Sequence, residues 1–334
     1  MEIKTENDFH IGWQEILWSS KLFTMAVFTS WTISTLFYFL SMAAASPESV
    51  NTAIISGTSM AMEKVDLAAE HLNLMWSIFF FNSLAVVTTS VGTGLLPYIQ
   101  NISIAELELR AHNQKYTTYS LKVEKLFQLL NSHIKDSAQK MDPGIAKLRS
   151  QDNSEIEGSI WKCAKYNKEH FRLLAYVIPH IIPIITLTLN GMLLGIMLSF
   201  FIFNGTLSSY DLTGAQGIVP GILFSVSYFL AFILPHGIIE IPVIIMAAAL
   251  GYRFARVYSD KILEDKLLSG NDAESLEQDI SYMNGIAKEY IRSSYLWTMV
   301  SMMLILLLAA AYIEANITPG VAQQVTDFLS LLLF

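Results

Sequence analysis

The sequence predicts an all-α, polytopic membrane protein with about five net transmembrane crossings. Its composition, its apolar runs and the placement of its basic residues lead to this fold class. Hydrophobic residues make up 53% of the 334 residues and charged residues only 15%, whereas a soluble domain carries about 25% charged residues. The mean hydropathy of +0.43 agrees with a chain that lies largely in lipid.

Charge and cysteine content exclude several classes of function. The net charge of −8 argues against nucleic acid as a partner, because phosphate binding needs a basic face. The single cysteine, Cys163, excludes an internal disulfide and any multi-cysteine metal site. Neither a phosphate-binding glycine loop nor a Ser-His-Asp arrangement is evident, so we predict no cofactor and no enzymatic activity.

Five apolar segments have the roughly 20 residues that a membrane crossing requires. Phe9, Trp13, Ile16 and Leu17 recur at helical spacing before the first of them, which predicts an interfacial helix. The predicted spans are 22–45, 75–99, 173–203, 218–251 and 295–313. The remaining predicted segments are a cytoplasmic interfacial helix at 1–21, an extracytoplasmic segment at 46–74, a cytoplasmic helical insert at 100–172, a cytoplasmic helical segment at 252–294, and an extracytoplasmic or interfacial tail at 314–334.

The distribution of lysine and arginine predicts the orientation. Segments 100–172 and 252–294 contain most of the basic residues, and such residues concentrate on the cytoplasmic side. The N-terminus is therefore expected in the cytoplasm and the C-terminus outside, in a multi-pass protein of the cell membrane. The insert 100–172 is expected to form a cytoplasmic helical hairpin, whose basic residues either reflect this bias or bind anionic lipid or a cytosolic partner.

The fourth span is too long for one straight crossing. Segment 218–251 would extend about 51 Å as a helix, while the hydrocarbon core is about 30 Å thick. Pro235 and Pro242 each remove a helix hydrogen bond, and Gly237 loosens the same turn. We therefore predict a helix that is broken at 235–242, or one span followed by a re-entrant half-helix.

An intramembrane polar site is predicted at the same place. His236 and Glu240 are four residues apart in an apolar run, so they lie on one face of a helix. Ionisable groups are costly in lipid, so they normally face the interior of a helix bundle. We expect Asn82 and Asn190, which lie in other spans, to belong to the same polar site. His236 and Glu240 either line a cavity, lock two helices together by hydrogen bonding, or bind a metal ion with His180 as a third ligand.

Small residues in the spans predict close helix contacts. Gly191 and Gly195 have the small-xxx-small spacing that permits close approach of two helices. Gly92 in the second span is expected to act in the same way. Such faces also suggest a homo-oligomer.

The string Leu234-Pro235-His236-Gly237-x-x-Glu240-x-Pro242, followed by Gly251, resembles the signature of the stage II sporulation protein M family. The elements Phe81-Asn82 with Gly92, and Asn190-Gly191-x-x-x-Gly195, precede it in the expected order. The insert 100–172 separates elements that family members usually hold close together. The resemblance implies an integral membrane protein; the sporulation member acts as a membrane scaffold with a peptidoglycan-degrading machine.

Two functions follow as hypotheses. The first is a membrane scaffold or assembly protein that contacts lipid and organises a membrane or cytosolic protein partner. The alternative is a transporter or channel in which His236, Glu240, Asn190 and Asn82 line a path. A metalloenzyme is not expected, because the His-Glu-x-x-His order of a zinc hydrolase is absent.

Overall fold

The computed structural model describes residues 6–43, 51–52, 54–56, 73–125 and 159–333. Most of the predicted extracytoplasmic segment 46–74, and the part of the insert at 126–158, lie outside these residues. All regular secondary structure in the described ranges is helical, as the sequence predicts.

The described helices account for nearly all of these residues, and several begin at side-chain caps. Ser159, Asn167 and Asp272 each accept a hydrogen bond from a backbone N–H in the first turn of the helix that follows, which satisfies a donor that lacks a partner within the helix. The helices are α1 (Trp13–Ala43), α2 (Leu74–Val87), α3 (Ile99–His112), α4 (114–125), α5 (Ile160–Ala164), α6 (Lys168–Val177), α7 (Ile181–Thr213), α8 (Ile218–Glu264), α9 (Ala273–Arg292), α10 (Ser294–Asn316) and α11 (Thr318–Leu333).

The chain divides into two compact units. The first unit comprises Met1–Ile11, Ser90–Ile182 and Leu250–Trp297, and the second comprises Gly12–Thr89, Pro183–Ala249 and Thr298–Phe334. Four helical segments are long and apolar enough to cross a membrane, namely Trp13–Met42, Leu74–His112, Lys168–Glu264 and Ser294–Asn316. The prediction of an all-helical protein is therefore confirmed for the described residues, and these four segments are candidate membrane spans.

The first unit has an aromatic core around Tyr290, which is completely buried. Its ring stacks on Phe254 at a centroid distance of 4.5 Å and meets Phe9 edge-on at 5.3 Å. Its hydroxyl donates a hydrogen bond of 2.9 Å to the carbonyl of Ser90. The N-terminal 3-10 turn Glu6–Phe9 is thus part of this core.

This arrangement corrects the prediction of an interfacial helix at 1–21. Phe9 is buried in the first unit, and α1 begins at Trp13 and continues without interruption to Ala43. Residues 13–21 are therefore the first turns of a long helix and not a separate element. Helical spacing alone does not distinguish these two structures, because both present the same apolar positions.

The described part of the insert 100–172 begins with two consecutive helices, α3 and α4, that are separated at Asn113; after 126–158 it contains α5 and the start of α6. The buried Arg110 joins α3 and α4: its guanidinium contacts Glu106 on α3, donates to Glu124 on α4 at 2.9 Å, and lies 4.8 Å from the ring centroid of Tyr166. Planar guanidinium groups suit such combined ion pairing and stacking. The part of the predicted hairpin at 126–158 lies outside the described residues.

In the second unit, α1 and α7 are parallel and in close contact. A Cβ at Gly191 would lie 2.7 Å from the carbonyl oxygen of Phe23, and one at Gly195 would overlap the backbone at Val27. Further along both helices, Tyr38 stacks on Phe203 at 4.1 Å. Only glycine permits this backbone approach, so both predicted packing glycines lie where two helices meet.

Helices α7 and α8 form an antiparallel pair. Phe201 contacts Tyr228 at a ring distance of 5.6 Å, and nearer the connection a Cβ at Gly221 would lie 2.8 Å from the Cβ of Ser209. The 3-10 turn Gly214–Gly217 closes the pair, and Gly214 there has a φ of +69°. Glycine adopts this left-handed conformation without strain.

The helix break predicted at 235–242 is not present in the structure. Helix α8 runs without interruption from Ile218 to Glu264, with Pro235 and Pro242 inside it. A proline removes one backbone donor, but the hydrogen bonds of the neighbouring residues remain. Because α8 is one continuous helix, it contains no re-entrant turn.

Candidate functional site

The candidate site lies on α8 in the second unit. His236 and Glu240 are one helical turn apart, so their side chains leave the same face of the helix. His236 is only 6% exposed, and Phe232 lies one turn before it with its ring edge-on at 6.4 Å. One side of the buried imidazole therefore faces an aromatic ring of its own helix.

A third ionisable group completes a cluster. The carboxylate of Glu314, near the end of α10, joins His236 and Glu240 so that one ligand atom from each lies within 4.8 Å of the others. These three residues are named the polar cluster. Two carboxylates at this separation repel each other strongly where water is scarce, so the arrangement favours a bound proton or cation between them.

Asn82 on α2 binds the cluster directly. Its side-chain nitrogen donates a hydrogen bond of 2.6 Å to Oε1 of Glu240. The predicted asparagine thus contacts one of the two predicted ionisable residues. Within the described residues, the carboxylate of Glu314 accepts no hydrogen bond.

The cluster lies at an interruption between two helices. Helix α10 ends at Asn316, Ile317 forms a turn, and α11 begins at Thr318. Thr318 is buried, and its Oγ1 lies 3.3 Å from Nδ1 of His236. The helix interruption at the site is therefore in the last part of the chain and not in α8.

Sequence reasoning missed Glu314 and Thr318 because the fifth span was ended at Ile313. A signal was present, since Glu314 is the only charged residue in the apolar helix Ser294–Asn316. The Thr318-Pro319 pair is also typical of a helix start, where proline has no donor to lose.

Two predicted site residues lie elsewhere. Asn190 donates its side-chain N–H to the carbonyl of Thr186 on its own helix at 2.8 Å. His180 belongs to the first unit, where its Nδ1 lies 3.2 Å from the carbonyl of Tyr176 and its ring lies 5.8 Å from that of Tyr252. The third group of the cluster is Glu314, which is absent from the predicted metal ligands.

The predicted glycines differ in their surroundings. Gly237 lies close to the cluster, but a Cβ there would meet only side chains of its own helix, the nearest at 3.1 Å on Ile233. Gly92 ends a π-helical turn, Thr88–Gly92, that follows α2. It is the neighbouring Gly94 at which a Cβ would lie 2.6 Å from the ring of Tyr290.

The arrangement is chemically able to bind a proton or a metal ion. Imidazole and carboxylate groups bind protons or metal ions, while the amide of Asn82 and the hydroxyl of Thr318 can orient them.

A model of the family described as stage II sporulation protein M matches residues 134–319. This range covers more than half of the chain. It includes the three residues of the polar cluster and Thr318, whereas Asn82 precedes it. Comparison with curated proteins finds no match, and neither does comparison with solved structures.

Proposed function

Since this chain belongs to the stage II sporulation protein M family, we propose that it is a multi-pass membrane scaffold that holds a partner protein at the membrane. The observation that carries the proposal is the first unit, a folded helical body with its own core that is continuous with apolar helices. A folded body of this kind offers a partner a defined surface, which short loops do not.

Five crossings are supported by helix directions. The apolar region Lys168–Glu264 has 97 residues, about 145 Å as a helix, and its two long helices α7 and α8 are antiparallel. Counting them separately gives five crossings. Helix α1 is parallel to α7, as the first and third spans of a chain with alternating crossings must be.

The orientation is supported by charge. Segments 100–172 and 252–294, which form most of the first unit, contain twelve and six of the 21 lysines and arginines. Basic residues of short connecting segments stay in the cytoplasm. The first unit and the N-terminus are therefore cytoplasmic in this proposal, and the C-terminus is outside.

The exposed face of α4 is the part of the first unit best suited to docking. Lys115, Tyr119 and Lys122 are spaced at four and three residues, and all three are exposed, Tyr119 by 66%. A basic face with an exposed aromatic ring suits an acidic protein surface.

The test is crosslinking in native membranes of a full-length chain produced at its natural level. We expect one partner to be recovered in a fixed ratio, and the double variant Lys115→Glu/Lys122→Glu to lose it. The control variant, Lys162→Glu/Lys165→Glu, reverses the charge of two exposed lysines around α5. Failure to recover any partner in a fixed ratio would contradict the scaffold proposal.

A second function, transport of a cation, is favoured by one observation. The polar cluster places two carboxylates and a histidine within apolar helices, as in proton and ion pathways. Proton flux into proteoliposomes, followed with an enclosed pH-sensitive dye, should be lost in Glu240→Gln and His236→Ala and kept in Gly237→Ala. Equal flux in all four proteins would exclude this function.

A further inference from the structure

We propose that His236, Glu240 and Glu314 bind one divalent transition-metal ion of the Zn²⁺ or Mn²⁺ class. The observation behind the proposal is geometric: one ligand atom from each residue lies within 4.8 Å of the other two. The inference is independent of the scaffold role, because its test measures bound metal and not a partner.

A doubly charged ion would balance the charge of the site. Two carboxylates carry two negative charges, and a neutral imidazole carries none. One divalent cation therefore gives a neutral site, which reduces the large cost of burying charge among apolar helices. A single shared proton would leave one negative charge, so one divalent ion provides the neutralisation that would otherwise need two protons.

The kinds of ligand select the class of ion. Mg²⁺ and Ca²⁺ prefer sites made of oxygen ligands alone, whereas imidazole suits zinc and neighbouring transition metals. One histidine with two carboxylates is therefore a site for Zn²⁺ or Mn²⁺, with water in the remaining position.

The distances require only a small closure of the side chains. Two ligands of a tetrahedral Zn²⁺ ion are about 3.4 Å apart, because each bond is about 2.1 Å long. The widest separation of 4.8 Å must therefore shrink by about 1.4 Å. Rotation about the side-chain bonds of two glutamates supplies such a change without backbone movement.

Two neighbours act as the outer shell of a metal site. Asn82 donates to Oε1 of Glu240 and so leaves the other carboxylate oxygen to the ion. An Nδ1–H of His236 donated to Oγ1 of Thr318 would leave the lone pair of Nε2 for the ion. Hydrogen bonds of this kind fix the orientation and tautomer of metal ligands.

The ion would connect α8 to the end of α10. Glu314 precedes and Thr318 follows the turn at Ile317, and both residues face His236. A bound ion therefore holds this junction against α8. Metal binding should accordingly raise the melting temperature of the whole protein, because the ligands are close together only in the folded state.

The experiment uses full-length protein in lipid nanodiscs, stripped with a chelator and then titrated with Zn²⁺ or Mn²⁺. We expect one equivalent to remain after gel filtration and the melting temperature to rise. Glu314→Gln and His236→Gln should each weaken binding at least 100-fold, and Thr318→Val about 10-fold. Asn190→Ala and Gly237→Ala serve as controls that keep full binding.

A Co²⁺ titration separates this site from surface binding. Ligation by one nitrogen and two carboxylates should give visible absorption bands that vanish in Glu314→Gln. The glutamine variant has nearly the same shape, so it should fold, and monodisperse elution checks that it does. The proposal is overturned if the wild type binds less than about a tenth of an equivalent, or if Glu314→Gln binds as tightly as the wild type.

Discussion

The side-chain nitrogen of Asn82 on α2 lies 2.6 Å from Oε1 of Glu240 on α8. This hydrogen bond joins two residues that are 158 positions apart in the chain. A hydrogen bond to a carboxylate is stronger than one between neutral groups. Loss of the hydrogen bond from Asn82 in apolar surroundings would leave the carboxylate of Glu240 without this donor.

Asn82→Ala should lower the free energy of unfolding by about 1–3 kcal/mol, the cost of leaving a buried acceptor without its donor. Thermal unfolding in nanodiscs measures the change. The control is Asn190→Ala, because Asn190 only bonds a carbonyl of its own helix. An equal loss of unfolding free energy in the two variants would show that the hydrogen bond from Asn82 to Glu240 stabilises the fold no more than the bond of Asn190 within its own helix.

Two glycines of the long helices, Gly191 and Gly237, should respond differently to replacement by alanine. Gly191→Ala places a methyl group 2.7 Å from the carbonyl oxygen of Phe23, so α1 and α7 must separate, at a cost of about 1–3 kcal/mol. Gly237→Ala meets only Ile233 of its own helix, at 3.1 Å. It should be neutral or gain up to about 1 kcal/mol from higher helix propensity.

Unfolding of both variants under the same conditions checks this pair. If Gly237→Ala were the more harmful substitution, α8 would need the flexibility that its prolines and glycine suggested from sequence. The same result would contradict the close contact of α1 with α7 at Gly191.

Much of the fold follows from the sequence because its causes are local. Apolar runs set the long helices, and the four-residue spacing of His236 and Glu240 places them on one face. The resemblance carried by the string Pro235-His236-Gly237-x-x-Glu240 is confirmed by the family match. These features depend on neighbouring residues in the chain.

The rest depends on contacts between distant residues, which spacing does not reveal. Hydropathy ends the fifth predicted span before the charged Glu314 and so assigns this residue to the tail, whereas in the structure its carboxylate lies beside His236. Helical spacing assigns Phe9 to an interfacial helix, because the sequence does not show its contact with Tyr290, about 280 residues later. Pro235 predicts a helix break, because the sequence does not show that the neighbouring backbone hydrogen bonds of α8 are kept.

Two buried tyrosines of the first unit form a matched pair for the third prediction. Tyr290 donates its hydroxyl to the carbonyl of Ser90 at 2.9 Å, while the buried hydroxyl of Tyr258 has no hydrogen-bond partner among the described residues. Tyr290→Phe should cost about 1–2 kcal/mol. Tyr258→Phe should be neutral or stabilising, because it removes a polar atom that burial already penalises.

Chemical or thermal unfolding of the full-length protein distinguishes the two variants. Phenylalanine keeps the ring contacts, including the stacking of Tyr290 on Phe254, so any difference reports the hydroxyl groups. A larger loss in Tyr258→Phe would mean that its hydroxyl has a partner outside the described residues.

The last prediction concerns pH and Asp279 on α9, in the polar helix that follows α8. Burial raises the pKa of the Asp279 carboxyl above its ordinary value, although the backbone N–H of Leu268 and the charge of Arg172 act in the opposite direction. The folded protein therefore holds this proton more tightly than the unfolded chain does. The stability that it contributes is complete below the ordinary pKa of 3.8 and is lost as the pH rises through the folded value.

Asp279→Asn should therefore reduce the loss of stability that occurs as the pH is raised from about 4 to 7. The asparagine cannot ionise, and its Oδ1 can still accept the N–H of Leu268, which Asp279 binds at 2.6 Å. Melting temperatures of the full-length protein across this range measure the effect, with Glu277→Gln at an exposed position of the same helix as the control. A steeper decline in Asp279→Asn than in the wild type would show that the charged carboxylate stabilises the fold, through Arg172 and Leu268, by more than its burial costs.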